Sequence, residues 1–430
     1  MIKNDFKKAG WIRNTTVYEV NLRQYTAEGT INAFLHELPR LKSMGVGTLW
    51  FMPLTPIAEM NRKGSLGSYY ACSDYTAINP EFGTEADFRN LVQVSHEMGF
   101  KVLIDWVANH TGWDHVWTKE HPDFYKKDEH TGHFKIASGM DDIIELDFSN
   151  TEMRSAMINA MAFWIDQFDI DGFRSDLAFW VTLDFWHEAR TALEEKKTLF
   201  WLAEADVLEH ANYLQVFDAA YAWSWMHKTA AFYRNEIGFD VLKNLLQQHD
   251  DVCGNQSITL WFTSNHDENS WNGTEFEKYG DMAPLLNVFS HTFSGIPLVY
   301  SGQELPNSKR LAFFDKDVIS WNGSYELHDF FMALNRLNRE NKALIAAEAE
   351  VVSNLAETGN NTSLLAYHRK FEDHEILVLL NFSALPVEAD IYMETVSGRY
   401  KNIFTHEETI FSTWVKASLP PWGYMVCEKR

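Results

Sequence analysis

The sequence predicts an α/β chain built on a (β/α)8 TIM barrel, with a long loop or small subdomain after the third strand and a C-terminal antiparallel β-sandwich domain. Two observations predict the barrel: strand-like and helix-like segments alternate through the first two-thirds of the chain, and several strand-like runs end in an acid. In barrels of this kind the reactive groups sit where strands end and loops begin. A third observation predicts the second domain: beyond about residue 346 the long helical segments stop and short strands separated by turns take over. The expected division is 1–345 for the barrel, including a loop subdomain at about 108–150, and 346–430 for the β domain.

Val17 to Leu22 reads as the first strand, and Asn32 to Met44 as a helix with Phe34, Leu38 and Leu41 on one face. Thr48 to Pro53 is a second strand, closed by proline. Thr84 opens a helix with Asp87 three residues on, a variant of the capping box, and Gly99 ends it. Lys101 to Val107 is the third strand. The stretch from Ala108 to about Asn150 is long and irregular, and such loops in a compact domain usually carry function. Helices Thr151–Phe168 and Leu183–Glu195 then lead to strands Gly172–Ser175 and Leu199–Ala203. Phe217–Ala222, Ile258–Thr263 and Leu298–Tyr300 complete the set, and Leu327, Phe330, Phe331 and Leu334 mark a closing helix. In the β domain, Leu364–His368, Ile376–Leu380 and Tyr424–Cys427 read as strands. No flexible linker or repeat intervenes, so the domain is expected to pack on the barrel.

Of 430 residues, 46% are hydrophobic, which allows a large core and argues against disorder. The formal net charge of −23 disfavours nucleic acid and anionic membranes as partners. Neutral partners remain open. The start of the chain lacks the apolar stretch of a signal peptide, and no segment is apolar for long enough to span a bilayer, so a cytoplasmic location is expected, with a secreted protein whose signal has been removed as the alternative. Cys72, Cys253 and Cys427 fit neither a metal-ligand spacing nor a disulfide framework. His115, His121, His130 and His133 match no zinc motif and read as solvated loop residues. Most aromatic residues are expected in the core, with a minority serving as platforms for sugar rings. Oligomeric state is not readable.

Four segments carry the chemistry: Asp105-Trp106-Val107-Ala108-Asn109-His110, Gly172-Phe173-Arg174-Ser175-Asp176, Leu202-Ala203-Glu204 and Thr263-Ser264-Asn265-His266-Asp267. Taken singly, each acid reads more readily as a cap or an ion-pair partner, and each histidine as a core residue. Together, at successive strand ends, they suggest the cutting or transfer of a sugar bond. Glycoside hydrolysis needs an acid to protonate the departing oxygen and a carboxylate facing the anomeric carbon, in different protonation states at one pH. Asp176 lies two residues after Arg174, so both side chains point to one side of a strand. The arginine is expected to hold Asp176 ionised, as a nucleophile requires. Glu204 follows the apolar run Leu199–Ala203, and partial burial is expected to keep it protonated as a general acid.

These segments resemble the conserved regions of the α-amylase family of glycoside hydrolases (family 13). So do Gly67–Tyr75, Asn79–Thr84 and Tyr300-Ser301-Gly302-Gln303-Glu304, and the resemblance runs from Tyr18 into the β domain. It implies a retaining mechanism with Asp176 as nucleophile, Glu204 as acid/base and Asp267 as transition-state stabiliser. It also implies substrate binding by His110, Arg174 and His266, stacking of Tyr70 under the sugar that is cut, and a mainly structural place for Asp105. The implied substrate is an α-1,4 glucan: starch, glycogen or maltooligosaccharides. An exo-acting α-glucosidase or a transglycosylase would use the same residues, and Trp113, Trp117 and Trp271 are expected to influence acceptor choice. A non-catalytic glycan- or partner-binding barrel would have lost acids that this chain keeps.

Two departures bear on cofactors. Members of the family with a structural calcium use the asparagine matching Asn109, an aspartate where this chain has Glu145, and a histidine where it has Phe179-Trp180. Aromatic rings supply no oxygen ligand. The expectation is therefore no required cofactor and no metal-site residues, with a structural calcium as the disfavoured alternative.

Overall fold

The structure, a computed structural model, describes residues 3–254, 256–321, 323, 325–358 and 363–430. Eight parallel strands close into a barrel: β1 (Val17–Val20), β2 (Thr48–Phe51), β3 (Lys101–Trp106), β7 (Gly172–Ser175), β8 (Phe200–Asp206), β9 (Ala219–Tyr221), β10 (Ile258–Trp261) and β11 (Ile296–Tyr300). β1 joins the two ends, pairing Val17 with Thr48 of β2 and with Leu298 of β11. A period-two alternation sorts the side chains. Val17, Trp50, Leu103, Phe200, Leu202, Tyr221, Leu260 and Leu298 pack together in one buried cluster. Others, such as Phe51, Val102, Ile104, Phe173 and Trp201, join the larger cluster shared with the helices.

Between β3 and β7 lies a small antiparallel sheet of β4 (His110–Gly112), β5 (Ile136–Ala137) and β6 (Met140–Glu145), in the order β4-β6-β5. Gly112 is required here, because a Cβ would meet the Cβ of Ala58 at 2.0 Å. At the C-terminal end, eight strands follow: β12 (Val352–Leu355), β13 (Leu364–Phe371), β14 (His374–Asn381), β15 (Val387–Tyr392), β16 (Gly398–Asn402), β17 (Glu408–Phe411), β18 (Trp414–Leu419) and β19 (Tyr424–Lys429). They form a six-stranded sheet, β12-β13-β14-β19-β16-β17, and the pair β15-β18. Leu377, Leu379, Val387, Ile391 and Val415 are buried between them.

The helices begin where the local chemistry directs. Thr84 caps Glu85–Glu97, with Asp87 closing the reciprocal capping box, and Asn150 caps Thr151–Phe168 by accepting from the amides of Glu152 and Met153. Some expected elements differ. The first strand stops at Val20, and Leu22–Tyr25 turn into a short buried helix. The helix expected over Asn32–Met44 is two, Ile31–Leu35 and Leu38–Met44, with Pro39 in the first turn of the second, where a missing N–H costs nothing. The fifth barrel strand runs on to Asp206, so Glu204 sits inside it. The reason is a register irregularity: Ala203 pairs with Ala220, yet the next partnership is Asp206 with Tyr221. Glu204 and Ala205 form the extra length, and such bulges re-aim side chains beside active sites.

Candidate active site

Arg174 organises the site. Its side chain is fully buried on β7, and its Nη1 donates to Asp105 Oδ1 at 2.8 Å and Asp176 Oδ1 at 3.0 Å. Nη2 lies 2.9 Å from Glu204 Oε2, but off the line of an N–H bond, so this contact is an ion pair rather than a hydrogen bond. Nε donates to the Tyr221 hydroxyl at 3.3 Å, and the ring of Trp50 covers the guanidinium at 4.9 Å. One cation therefore serves three carboxylates from three strands.

A second cation lies beside Asp267. His266 hydrogen-bonds Glu19 through Nδ1, and its Nε2 lies 2.7 Å from the Tyr70 hydroxyl and 3.3 Å from Asp267 Oδ2. Burial works against its charge, but Asp267 and Glu19 outweigh burial and raise the histidine well above its ordinary range. Burial would lift Asp267, but the imidazolium holds it below the usual value. Tyr70 donates its hydroxyl to Asp105 Oδ2 at 3.1 Å and stacks on both His266 and Phe313 at 19°.

Arg174 does contact Asp176, but the expectation that it would hold Asp176 ionised is corrected. Burial and the neighbouring Glu204 push Asp176 well up despite the arginine, and burial takes Asp105 up to about 6. Four buried carboxylates (Glu19, Asp105, Asp176, Glu204) and the part-exposed Asp267 face two cations here. Such crowding of like charge favours keeping a proton within the cluster. Burial lowers His110 to about 4, so it is neutral near pH 7.

A cavity of about 440 Å³ opens above this floor, within the usual range for small-molecule sites. Tyr70, His110, Asp176, Glu204 and Asp267 all line it. Arg174 and His266 do not; their side chains are 0% and 2% exposed, beneath the floor. Leu177 follows Asp176 in a left-handed conformation with φ of 38°, strained for a leucine, and this aims its N–H at Glu204 Oε2, 2.8 Å away. Asp267 leads directly into the π-helical turn Glu268–Asn272, which brings Trp271 to the cavity.

Several residues went unremarked in the sequence. Glu19 was legible in principle, as a lone acid within the buried run Val17–Val20 of a parallel strand. Trp50 and Tyr221 carried no signal beyond being apolar strand residues. Phe313, Phe314 and Lys63 line the cavity from loops, Asp142 lines it from β6, and they carried none at all. Trp113 and Trp117 are corrected in the other direction: Trp113 bonds the Asp141 carbonyl and packs on Phe134, while Trp117 packs among Tyr75, His115 and Phe124. His115 is buried, with its Nδ1 accepting from the Trp117 amide, rather than solvated; burial lowers it to about 3. Phe179 stacks on His210 at 4.1 Å and is not at the cavity.

The residues matching a structural calcium site do not fit one. The Glu145 carboxylate is ion-paired to both Lys126 and Lys135, so two ammonium groups stand where a cation would need free oxygen charge. Among the described residues no cluster of three or more His, Cys, Asp or Glu is arranged to hold a metal.

Acids at barrel-strand ends around one cavity define a class: a barrel enzyme with a carboxylate-lined active site. The comparisons narrow it. Residues 10–130 and 122–342 match the model of the α-amylase catalytic domain, and residues 355–426 match that of the maltogenic amylase C-terminal domain. The chain belongs to the α-amylase family of glycoside hydrolases. It is 25% identical to an α-amylase of Haloarcula japonica over 93% of this chain and 60% of that protein. It is 24% identical to a maltogenic α-amylase of Bacillus acidopullulyticus over 93% of this chain and 70% of that one. The chain thus spans less than two-thirds of the first of these relatives. Among solved structures, an α-amylase from Lactobacillus plantarum superposes with a TM-score of 0.87 at 27% identity, covering 98% of this chain and 100% of that one. A noncanonic maltogenic α-amylase from Thermotoga neapolitana gives 0.88 at 27% identity, covering 97% and 99%. No described helix is long and apolar enough to cross a membrane.

Proposed function

We propose that this protein hydrolyses α-1,4-glucosidic bonds in starch, glycogen or maltooligosaccharides with retention of configuration. The observation that carries the reading is the shared guanidinium: Arg174 draws Asp176 and Glu204 together below a cavity that Asp267 also lines. The names of the relatives, α-amylases and maltogenic α-amylases, support the substrate class.

The geometry supports the following steps. The mechanism requires the proton on Glu204 and an ionised Asp176. Glu204 Oε2 takes the Leu177 amide and the arginine, so Oε1 is the oxygen assigned to the proton. That proton passes to the glycosidic oxygen as its bond to C1 breaks. Asp176, anchored to Arg174 through Oδ1, attacks C1 through Oδ2 and forms a glycosyl ester. Once the leaving chain departs, Glu204 takes a proton from water, the water oxygen attacks C1, and Asp176 is released. Asp267, held ionised by the imidazolium, binds ring hydroxyls and favours the flattened ring of the transition state. Tyr70 supplies a flat apolar face for the sugar. Arg174 and His266 act through the carboxylates they orient.

Early proton NMR of maltoheptaose digestion tests retention: the first product is expected in the α configuration, and a β product would remove Asp176 from its role. Asp176→Asn should cut kcat by about 10⁴-fold, with the circular dichroism spectrum unchanged. Undiminished activity in that variant would sink the assignment.

A further inference from the structure

One wall of the cavity is stitched from three separate chain segments. The loop after β2 reaches the subdomain through Lys63, whose Nζ lies 2.7 Å from Asp142 Oδ1 and 3.3 Å from Asp141 Oδ1. The same loop is tied to the subdomain by the amides of Glu59 and Met60, which donate to Asp114 Oδ2 at 3.0 and 3.2 Å. Its other side joins the loop after β11. Ser65 donates both its amide and its hydroxyl to Asp315 Oδ1, and the Leu66 amide donates to the Phe314 carbonyl at 3.1 Å. The two loops touch so closely at Gly64 (φ of 61°) that a Cβ there would meet the Cβ of Phe314 at 2.5 Å.

This seam belongs to the active-site cavity. Lys63, Asp142 and Phe314 line the same space as the three acids. Its position relative to the chemistry follows from its neighbours. Phe313, next to the seam, stacks on Tyr70 and lies 6.2 Å from His266, the partner of Asp267. Glu204, the proton donor to the leaving group, is held by Leu177 and Arg174. Phe313 thus joins the seam to Tyr70 and to the His266–Asp267 pair, the groups assigned to the sugar that Asp176 captures.

We propose that Lys63, through its ion pair with Asp142, closes the cavity at the end that takes the non-reducing terminus of the glucan. The site is then a blind pocket, which makes the enzyme exo-acting. A chain enters terminus first until it meets the Lys63–Asp142 seam, and the depth from seam to Asp176 fixes the length of product removed. This rests on the reading of the three acids as glycosidase machinery.

The test uses 4-nitrophenyl α-maltoheptaoside with its non-reducing terminal glucose either free or capped as the 4,6-ethylidene acetal, with cleavage followed by chromatography. The wild-type enzyme is expected to consume the free substrate roughly tenfold or more faster than the capped one, giving one dominant short product. Lys63→Ala, or the double variant Lys63→Ala with Ser65→Ala should the single leave the seam closed, should bring the two rates together and broaden the product range. Lys63→Arg, which keeps the ion pair, should preserve the preference. Equal wild-type rates on both substrates would overturn the blind pocket while leaving the hydrolase reading intact. A preference unchanged in both alanine variants would overturn the role of Lys63. Cleavage of neither substrate would count against the hydrolase reading itself, and this inference would fall with it.

Discussion

Glu19 acts on the electrostatics of the cavity without lining it. Its carboxylate and that of Asp267 hold His266 charged against the opposing effect of burial. Glu19→Gln keeps the shape and removes one of those two anions. His266 should then lose its proton more readily, Asp267 should lose its cation, and kcat should fall by about 100-fold, the scale of a misplaced catalytic group. Steady-state kinetics against pH would check this, with the loss growing as pH rises through the new, lower histidine value. A flat, pH-independent loss would argue for mere packing damage. At this scale the sequence spoke clearly for Asp176, Glu204 and Asp267, because an acid after an apolar run is conspicuous. It gave only part of the surroundings of Arg174. Spacing along one strand paired it with Asp176, but pairing across strands, Asp105 opposite Arg174 and Arg174 opposite Leu202, adds partners that linear spacing cannot display.

Elements add constraints that single residues do not have. The subdomain sheet is held in part by Lys126 and Lys135 on Glu145, two covalent cations in place of a divalent one. We therefore expect millimolar EDTA to leave the melting temperature unchanged; a clear drop in differential scanning fluorimetry would reveal a metal dependence. In the β domain, Glu375 on β14 accepts from Tyr400 at 2.7 Å and Lys429 at 2.8 Å and pairs with Lys370 at 2.9 Å. Burial opposes ionisation, but these donors win and lower Glu375 to about 2. The unfolded chain has a glutamate value near 4.3, so it binds the proton first on acidification. The stabilisation is present above that value and lost as pH falls towards about 2. Glu375→Gln should reduce stability at pH 6 and flatten the acid-side loss between roughly pH 4.5 and 2, read from melting temperatures. Long helices such as Thr151–Phe168 were legible because cap and periodicity agree. The ends of β1 and β8 were not, because a bulge or a turn after an apolar run depends on the neighbouring strand rather than on the run itself.

At the scale of the whole molecule, the alternation of strand and helix carried the barrel, whereas the seam between its loops and the contact with the β domain were invisible in it. That contact is a shared core. Leu365, Tyr367, Ile376, Val378 and Leu380 from β13 and β14 pack in one cluster with Trp225, Leu242, Leu286, Phe289 and Leu334 from barrel helices. Tyr367 lies at its centre: fully buried, edge-on to Phe293 at 5.5 Å and hydrogen-bonded to the Thr292 hydroxyl at 2.6 Å. Burying apolar surface on both sides of a junction couples the stabilities of the two parts, because unfolding either exposes the core of the other. The 1–345 barrel and the 346–430 β domain that we propose as structural units should therefore melt together. Tyr367→Ala removes a ring and a buried hydrogen bond, at a cost of about 3–5 kcal/mol. The expected calorimetric result is one endotherm moved as a whole to lower temperature, with activity lost at the same temperature. If the β domain were an independent appendage, the variant would split the trace, and the barrel would keep both its own transition and its activity above the temperature at which the β domain unfolds.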